Sequence, residues 1–148
     1  TEVFAVQAAG RGVRVELDAP DGPLMVRLGQ DELEQVLSNL LLNALDAVPS
    51  GSGRIVVRVT DGCGGLVALE VADNGPGVAV ADQVHIFDPF YSTKEPGAGT
   101  GLGLAIVYGL VTEVGGRVEA GRSEELGGAL FTVLLPGAAA SEEGEGKA

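Results

Sequence analysis

The sequence predicts an α+β domain, a two-layer sandwich in which a mixed sheet is covered on one face by helices. Three observations carry this reading. Apolar residues recur at three- and four-residue spacing over 33–48, the signature of an amphipathic helix. Short alternating or continuous apolar runs lie on both sides of it, as strands do. Finally, 24 glycines fall in clusters at 62–65, 75–77, 97–103, 115–116 and 127–128, so turns or backbone approaching a ligand separate the runs.

Taken in order, residues 2–9 read as a short helix or a linker. Val13 to Leu17 alternates with charge and reads as a half-buried strand. Leu24 to Leu28 reads as a second strand, after the Asp21-Gly22-Pro23 turn. Asp31 to Val48 is the clearest helix, with Leu33, Val36, Leu37, Leu40, Leu41, Ala44, Leu45 and Val48 on one stripe. Asp31 is expected to cap it with Glu34 as capping-box partner, and Pro49-Ser50-Gly51 to end it. Arg54 to Thr60 and Leu66 to Ala72 read as paired strands across the Gly62-Cys63-Gly64-Gly65 turn. The Pro- and Gly-rich stretch 88–103 reads as a long loop, a feature that is usually functional or disordered in compact domains. Leu102 to Val114 reads as a helix stopped by Gly115-Gly116. Arg117 to Gly121 and Ala129 to Leu135 close the sheet. The expected domain is 1–136, and the low-complexity acidic segment 137–148 is expected to be a disordered tail.

The chain has 148 residues, enough for one domain with its own core. Its 21 acidic against 9 basic residues give a net charge of −12. That disfavours nucleic acid as a partner, because phosphate-backbone binding needs a basic face. It equally disfavours direct contact with an anionic membrane. No apolar run reaches the roughly 18–20 residues of a membrane span, and no signal peptide is recognisable. The opening at Thr1 rather than Met leads us to expect a fragment. A lone cysteine, Cys63, excludes an intrachain disulfide and suits a reducing compartment.

Three features carry chemistry. Gln35, Asn39 and Asn43 stack along a polar face of the long helix. Asparagine is a poor helix former, so the stripe is either a solvated face or a set of amide oxygens for a hard cation. In Asp73-Asn74-Gly75-Pro76-Gly77 a carboxylate ends an apolar strand, followed by glycines. Such a carboxylate can accept from an exocyclic amine such as that of adenine, or close an Asx-type turn. In Gly97-Ala98-Gly99-Thr100-Gly101-Leu102-Gly103-Leu104 glycines lead into a helix, a setting in which free N–H groups and the helix dipole favour phosphate. The spacing matches neither the dinucleotide fingerprint nor a Walker loop.

Together these parts resemble the ATP-binding catalytic domain of sensor histidine kinases, in the superfamily shared with gyrase B and heat-shock chaperone ATPases. The resemblance runs from about Arg11 to Pro136. It rests on four boxes in order: Asn39-Leu40-Leu41-Leu42-Asn43-Ala44, Asp73 to Gly77, Ile86-Phe87-Asp88-Pro89-Phe90-Tyr91-Ser92-Thr93-Lys94, and Gly99-Thr100-Gly101-Leu102-Gly103-Leu104-Ala105-Ile106-Val107. It implies a Bergerat-type ATP-binding fold, ATP with magnesium, and transfer of the γ-phosphoryl group to a histidine on a separate dimerisation domain, with a response regulator downstream. It also implies a cytoplasmic location, whether or not the parent chain is membrane-anchored.

Residue by residue, the resemblance makes Asn43 the magnesium ligand and Asn39 its polar companion near the phosphates. Asp73 becomes the adenine reader, with Gly75 and Gly77 passing the base. Gly99, Thr100, Gly101, Leu102 and Gly103 become the phosphate side of a mobile ATP lid, and Phe87 and Phe90 its anchor. Lys94 is the one lysine placed to reach phosphate, since the other, Lys147, lies in the tail.

Departures from the family pattern are visible. Asn39 stands where gyrase-type members carry a glutamate base, and it cannot take a proton from water. Asp46 stands where many members carry Lys or Arg. Ala129 stands where a Thr is frequent. The only histidine, His85, adjoins the phenylalanine box, which is no place for a phosphoacceptor. Three readings follow: a histidine kinase catalytic fragment, a standalone serine kinase of anti-sigma-factor type, and a nucleotide-binding regulatory module. The wording of the phenylalanine box favours the first.

Overall fold

The computed structural model describes residues 10, 12–18, 28–49, 51–61, 65–83, 85–88 and 103–137. Strand β1 (Arg14–Asp18) leads to helix α1 (Gln30–Ala47), then β2 (Arg54–Asp61) and β3 (Leu66–Asp73). A one-turn helix α2 (Val80–Gln83), helix α3 (Gly103–Glu113), β4 (Arg117–Arg122) and β5 (Ala129–Pro136) follow. The five strands form one sheet in the order β1-β2-β3-β5-β4. β1 runs parallel to β2 and every other pair is antiparallel.

Alternation along the strands decides the layers. Ile55 and Val57 of β2, Leu69 and Val71 of β3, and Phe131, Val133 and Leu135 of β5 share one buried face. Against it pack Val36, Leu40, Leu41, Ala44 and Leu45 of α1 and Leu104, Val107 and Val111 of α3. The expected two-layer sandwich is therefore what forms. The opposite sheet face carries ion pairs, in which Arg54 meets Glu16 and Arg58 meets Asp18, Glu70 and Glu125. All are substantially solvated, so they add little stability.

Local details depart from the sequence reading. α1 is not capped by Asp31. Gly29 is the N-cap and makes no side-chain cap bond; its carbonyl accepts from the Leu33 amide at 2.8 Å. Asp31 and Glu32 instead sit in the first turn, where they face the positive end of the helix dipole. α3 ends as expected, with the Gly115 and Gly116 amides donating to the Thr112 and Val111 carbonyls. Pro136 closes β5, and the Gly137 amide still donates to the Gly65 carbonyl at 2.7 Å. Residues 2–9, 24–27, 62–64, 89–102 and 138–148, with the strand, turn, loop and tail expected there, lie outside the described residues.

Candidate nucleotide site

The site begins with an anomaly of alternation. Period two places Asp73 on the same face as Leu69 and Val71, the face the helices cover, and it is 1% exposed. A carboxylate buried on an apolar face costs several kcal/mol, on the order of a lost fold, unless it is partnered. Its Oδ1 accepts from the Gly75 amide at 2.9 Å and from the Ala129 amide at 3.2 Å. Its Oδ2 is buried and has no partner among the described residues. The Asx-type turn thus accounts for one oxygen only. The other is a buried acceptor left open among the described residues. Burial pushes the carboxyl above its ordinary value, and the two amide bonds partly pull it back.

The backbone around Asp73 leaves no room for side chains. A Cβ on Gly128 would lie 2.5 Å from Asp73 Oδ1 and 2.7 Å from the Gly75 nitrogen, and closer still to the Asp73 carbonyl oxygen. Gly75 is held against the end of α1, where its Cβ would lie 2.6 Å from the Ala47 carbonyl oxygen. Gly77 turns with φ of +84°, a left-handed conformation that β-carbons resist. Asn74 continues the β2–β3 ladder with its side chain. Its Oδ1 accepts from the Arg54 amide at 2.8 Å and its Nδ2 donates to the Ser52 carbonyl at 3.0 Å. The residue after the key carboxylate is therefore a splice that fixes where the strand stops.

Asn39 and Asn43 are half-buried on α1, one turn apart. Asn39 Nδ2 donates to the carbonyl of Gly103, the first residue of α3, at 3.2 Å. Asn43 makes no side-chain hydrogen bond among the described residues, so its oxygen is available. Those residues hold no cluster of three metal-ligating side chains. An ion here would need most of its shell from a ligand and water, as magnesium bound with phosphates does. The donor set fits that arrangement and not a protein cage.

Of the expected lid anchor, Phe87 packs 6.0 Å from Tyr108 of α3 in a stacked arrangement and 6.2 Å from Phe131 edge-on. Phe90, Lys94, Gly99, Thr100, Gly101 and Leu102 lie outside the described residues. His85 is exposed and paired with Asp88 at 3.3 Å. Two participants were missed by sequence reasoning. Gly128 stands in the sequence only as one member of the 127–128 glycine cluster, and the Ala129 amide is a backbone donor that no side-chain pattern announces. The Gly127-Gly128 pair opening a closing strand was the available signal.

Residues 29–139 match the family described as histidine kinase-, DNA gyrase B-, and HSP90-like ATPase. Over 136 residues the chain is 42% identical to the C4-dicarboxylate transport sensor protein DctB of Pseudomonas aeruginosa, covering 89% of this chain and 22% of that protein. It is 38% identical to the sensor histidine kinase ZraS of Klebsiella oxytoca, covering 91% of this chain and 28% of ZraS. The catalytic domain of histidine kinase ThkA superposes with a TM-score of 0.80 at 28% identity, covering 91% of this chain and 86% of that one. The chain thus spans about a quarter of the two sensor proteins and nearly all of an isolated catalytic domain. A buried carboxylate framed by glycines, an asparagine-bearing helix beside it and these matches have one meaning: the chain belongs to the histidine kinase-, DNA gyrase B- and HSP90-like ATPase family, as a sensor histidine kinase ATP-binding domain.

Proposed function

We propose that this domain binds magnesium-ATP and passes its γ-phosphoryl group to a histidine on a separate dimerisation domain of the same kinase, from which a response regulator is served. The observation that carries the reading is Asp73 Oδ2, a buried acceptor without a partner among the described residues. An adenine amine supplies the donor it lacks, and the glycines at 75 and 128 let the backbone close around the carboxylate that receives it. Asn43 would hold the magnesium ion through its amide oxygen. When bound, the ion offsets phosphate charge that a chain of net charge −12 does not offset by itself. We place the work in the cytoplasm, where ATP is supplied.

In the transfer, the bond from the γ-phosphorus to the β–γ bridging oxygen breaks and a bond to the acceptor imidazole nitrogen forms, with ADP leaving. The chain's task is orientation. Asp73 fixes the base and the α1 amides face the phosphate end. Asn39, lacking a basic oxygen, does not activate water. His85 sits on the surface beside Asp88 and is not the acceptor.

Asn43→Ala should fold normally, because no hydrogen bond among the described residues is lost. ATP affinity should drop about tenfold with magnesium present and stay unchanged in EDTA, the weight of one bond to a charged group. Equal changes in both conditions, read by calorimetry, would remove Asn43 from the metal site. The reading as a whole is tested by mixing the chain, γ-labelled ATP and the helical-hairpin domain of its parent kinase. Acid-labile label should appear on the hairpin's histidine and not on this chain. Fast labelling of His85, or acid-stable label on serine, would overturn it.

A further inference from the structure

Gly103 is the first described residue of α3, and its carbonyl lies in the helical ladder, where it accepts from the amide four residues on. Glycine is a poor helix former, costing about 1 kcal/mol against alanine. A Cβ at this position would meet nothing within 4 Å among the described residues, so none of them demands glycine here. The end of α3 is therefore soft by composition. One side chain reaches across to it: Asn39 Nδ2 donates to the second lone pair of the Gly103 carbonyl at 3.2 Å. A carbonyl only accepts, so the amide must turn its nitrogen to α3, which leaves Oδ1 and the second N–H for other partners. Further along, Phe87 stacks on Tyr108, which fixes the middle of α3 and not its first turn.

We propose that Asn39 is a positioning residue. It fastens the first turn of α3 to α1 and sets the spacing between the α3 N-terminus and Asn43 before nucleotide arrives. The consequence for binding rests on the nucleotide reading above; the tether itself does not. Asn39 acts on the phosphate half of the nucleotide through Gly103, while the base is governed by Asp73.

The isosteric substitution Asn39→Asp removes the donor and sets a second acceptor against the carbonyl, and Asn39→Ala removes the group. In the nucleotide-free 148-residue chain, either change should speed amide exchange at Val107 and Tyr108 about fivefold, the weight of one ordinary hydrogen bond, while Val71 and Val133 stay unchanged. ADP affinity should fall about fivefold, equally in magnesium and in EDTA, while adenosine affinity holds. Unchanged exchange at Val107 and Tyr108 would overturn the tether. A loss confined to magnesium would make Asn39 a metal ligand instead, and equal losses for adenosine and ADP would reduce it to general support of the fold. A wild-type chain that bound no nucleotide would defeat the proposed function, and the exchange measurement would still decide the tether.

Discussion

Asp73→Asn should abolish adenine-nucleotide binding and leave the fold standing. Asparagine keeps an oxygen for the Gly75 and Ala129 amides, which now bond to Asp73 Oδ1. It replaces Oδ2 by an NH₂ group, so a donor meets the donor of the base. The lost charge-assisted bond alone is worth roughly 1.5–3 kcal/mol, about ten- to a hundredfold in affinity, and the opposed donors add to that. Asp73→Ala is the poorer probe, because it strands two buried amides at about 1–3 kcal/mol each. The same carboxyl sets a pH dependence. Its folded value is raised above the ordinary 3.8 by burial, so in the window between the two values the folded protein binds more protons than the unfolded chain. Stability therefore falls as pH rises through that window. Binding has the opposite slope, since only the carboxylate accepts from an amine without a proton in the way. ADP affinity should weaken as pH falls through the raised value. D73N should show neither titration and should be at least as stable as wild type at neutral pH. Titration calorimetry with ADP and a thermal melt read both; wild-type affinity in D73N would remove Asp73 from the base.

Gly128→Ala is expected to be among the costliest glycine-to-alanine changes at the described residues. Its Cβ would overlap the Asp73 carbonyl and carboxylate and the Gly75 nitrogen, which are backbone or locked by hydrogen bonds and cannot swing aside. Forcing β3 and β5 apart there should cost about 3 kcal/mol and lower the melting temperature by ~10 °C. It should also remove ADP binding by displacing Asp73. Gly121→Ala is the control: it lies on the paired strand β4, where a Cβ meets nothing within 4 Å, and should stay within about 0.5 kcal/mol of wild type. Equal melts for the two variants would mean that the close approach at Gly128 is not maintained in solution.

The sandwich was legible because periodicity is local. The stripe from Leu33 to Val48 and the nearly continuous apolar run from Ala129 to Leu135 each name their own element. Asp73 was legible for the same reason, as a charge ending an apolar strand. Of the strand partners only the β2–β3 pair was, from the glycine cluster between the two runs. Nothing in Val13 to Leu17 says that it lies parallel to β2, since pairing is settled by the helix between them. The start of α1 misled because Asp31 has the right chemistry two residues too late: Gly29 already holds the first backbone bond, so the carboxylate serves the dipole instead. Gly128 and the Ala129 amide stayed hidden because a backbone donor and a missing Cβ have meaning only once β5 lies beside β3. Asn39 could be assigned to the polar face but not to Gly103, 64 positions away in the chain.

That junction between β3 and β5 also bears on how the molecule comes together. β2 with β3 and β4 with β5 are each antiparallel neighbours in both sequence and space, two hairpins that can zip separately. Asp73 belongs to the first and Gly128 and Ala129 to the second. The cradle proposed for the base therefore does not exist in either half, and comes into being only when the hairpins dock edge to edge. A ligand that recognises it rewards the docked state alone and withdraws chains from partly assembled ones by mass action, by about 2.7 kcal/mol at a hundred times its dissociation constant. In the proposed function nucleotide is thus also a clasp on the seam of the sheet, and saturating ATP should raise the domain's stability as well as supply its phosphoryl group.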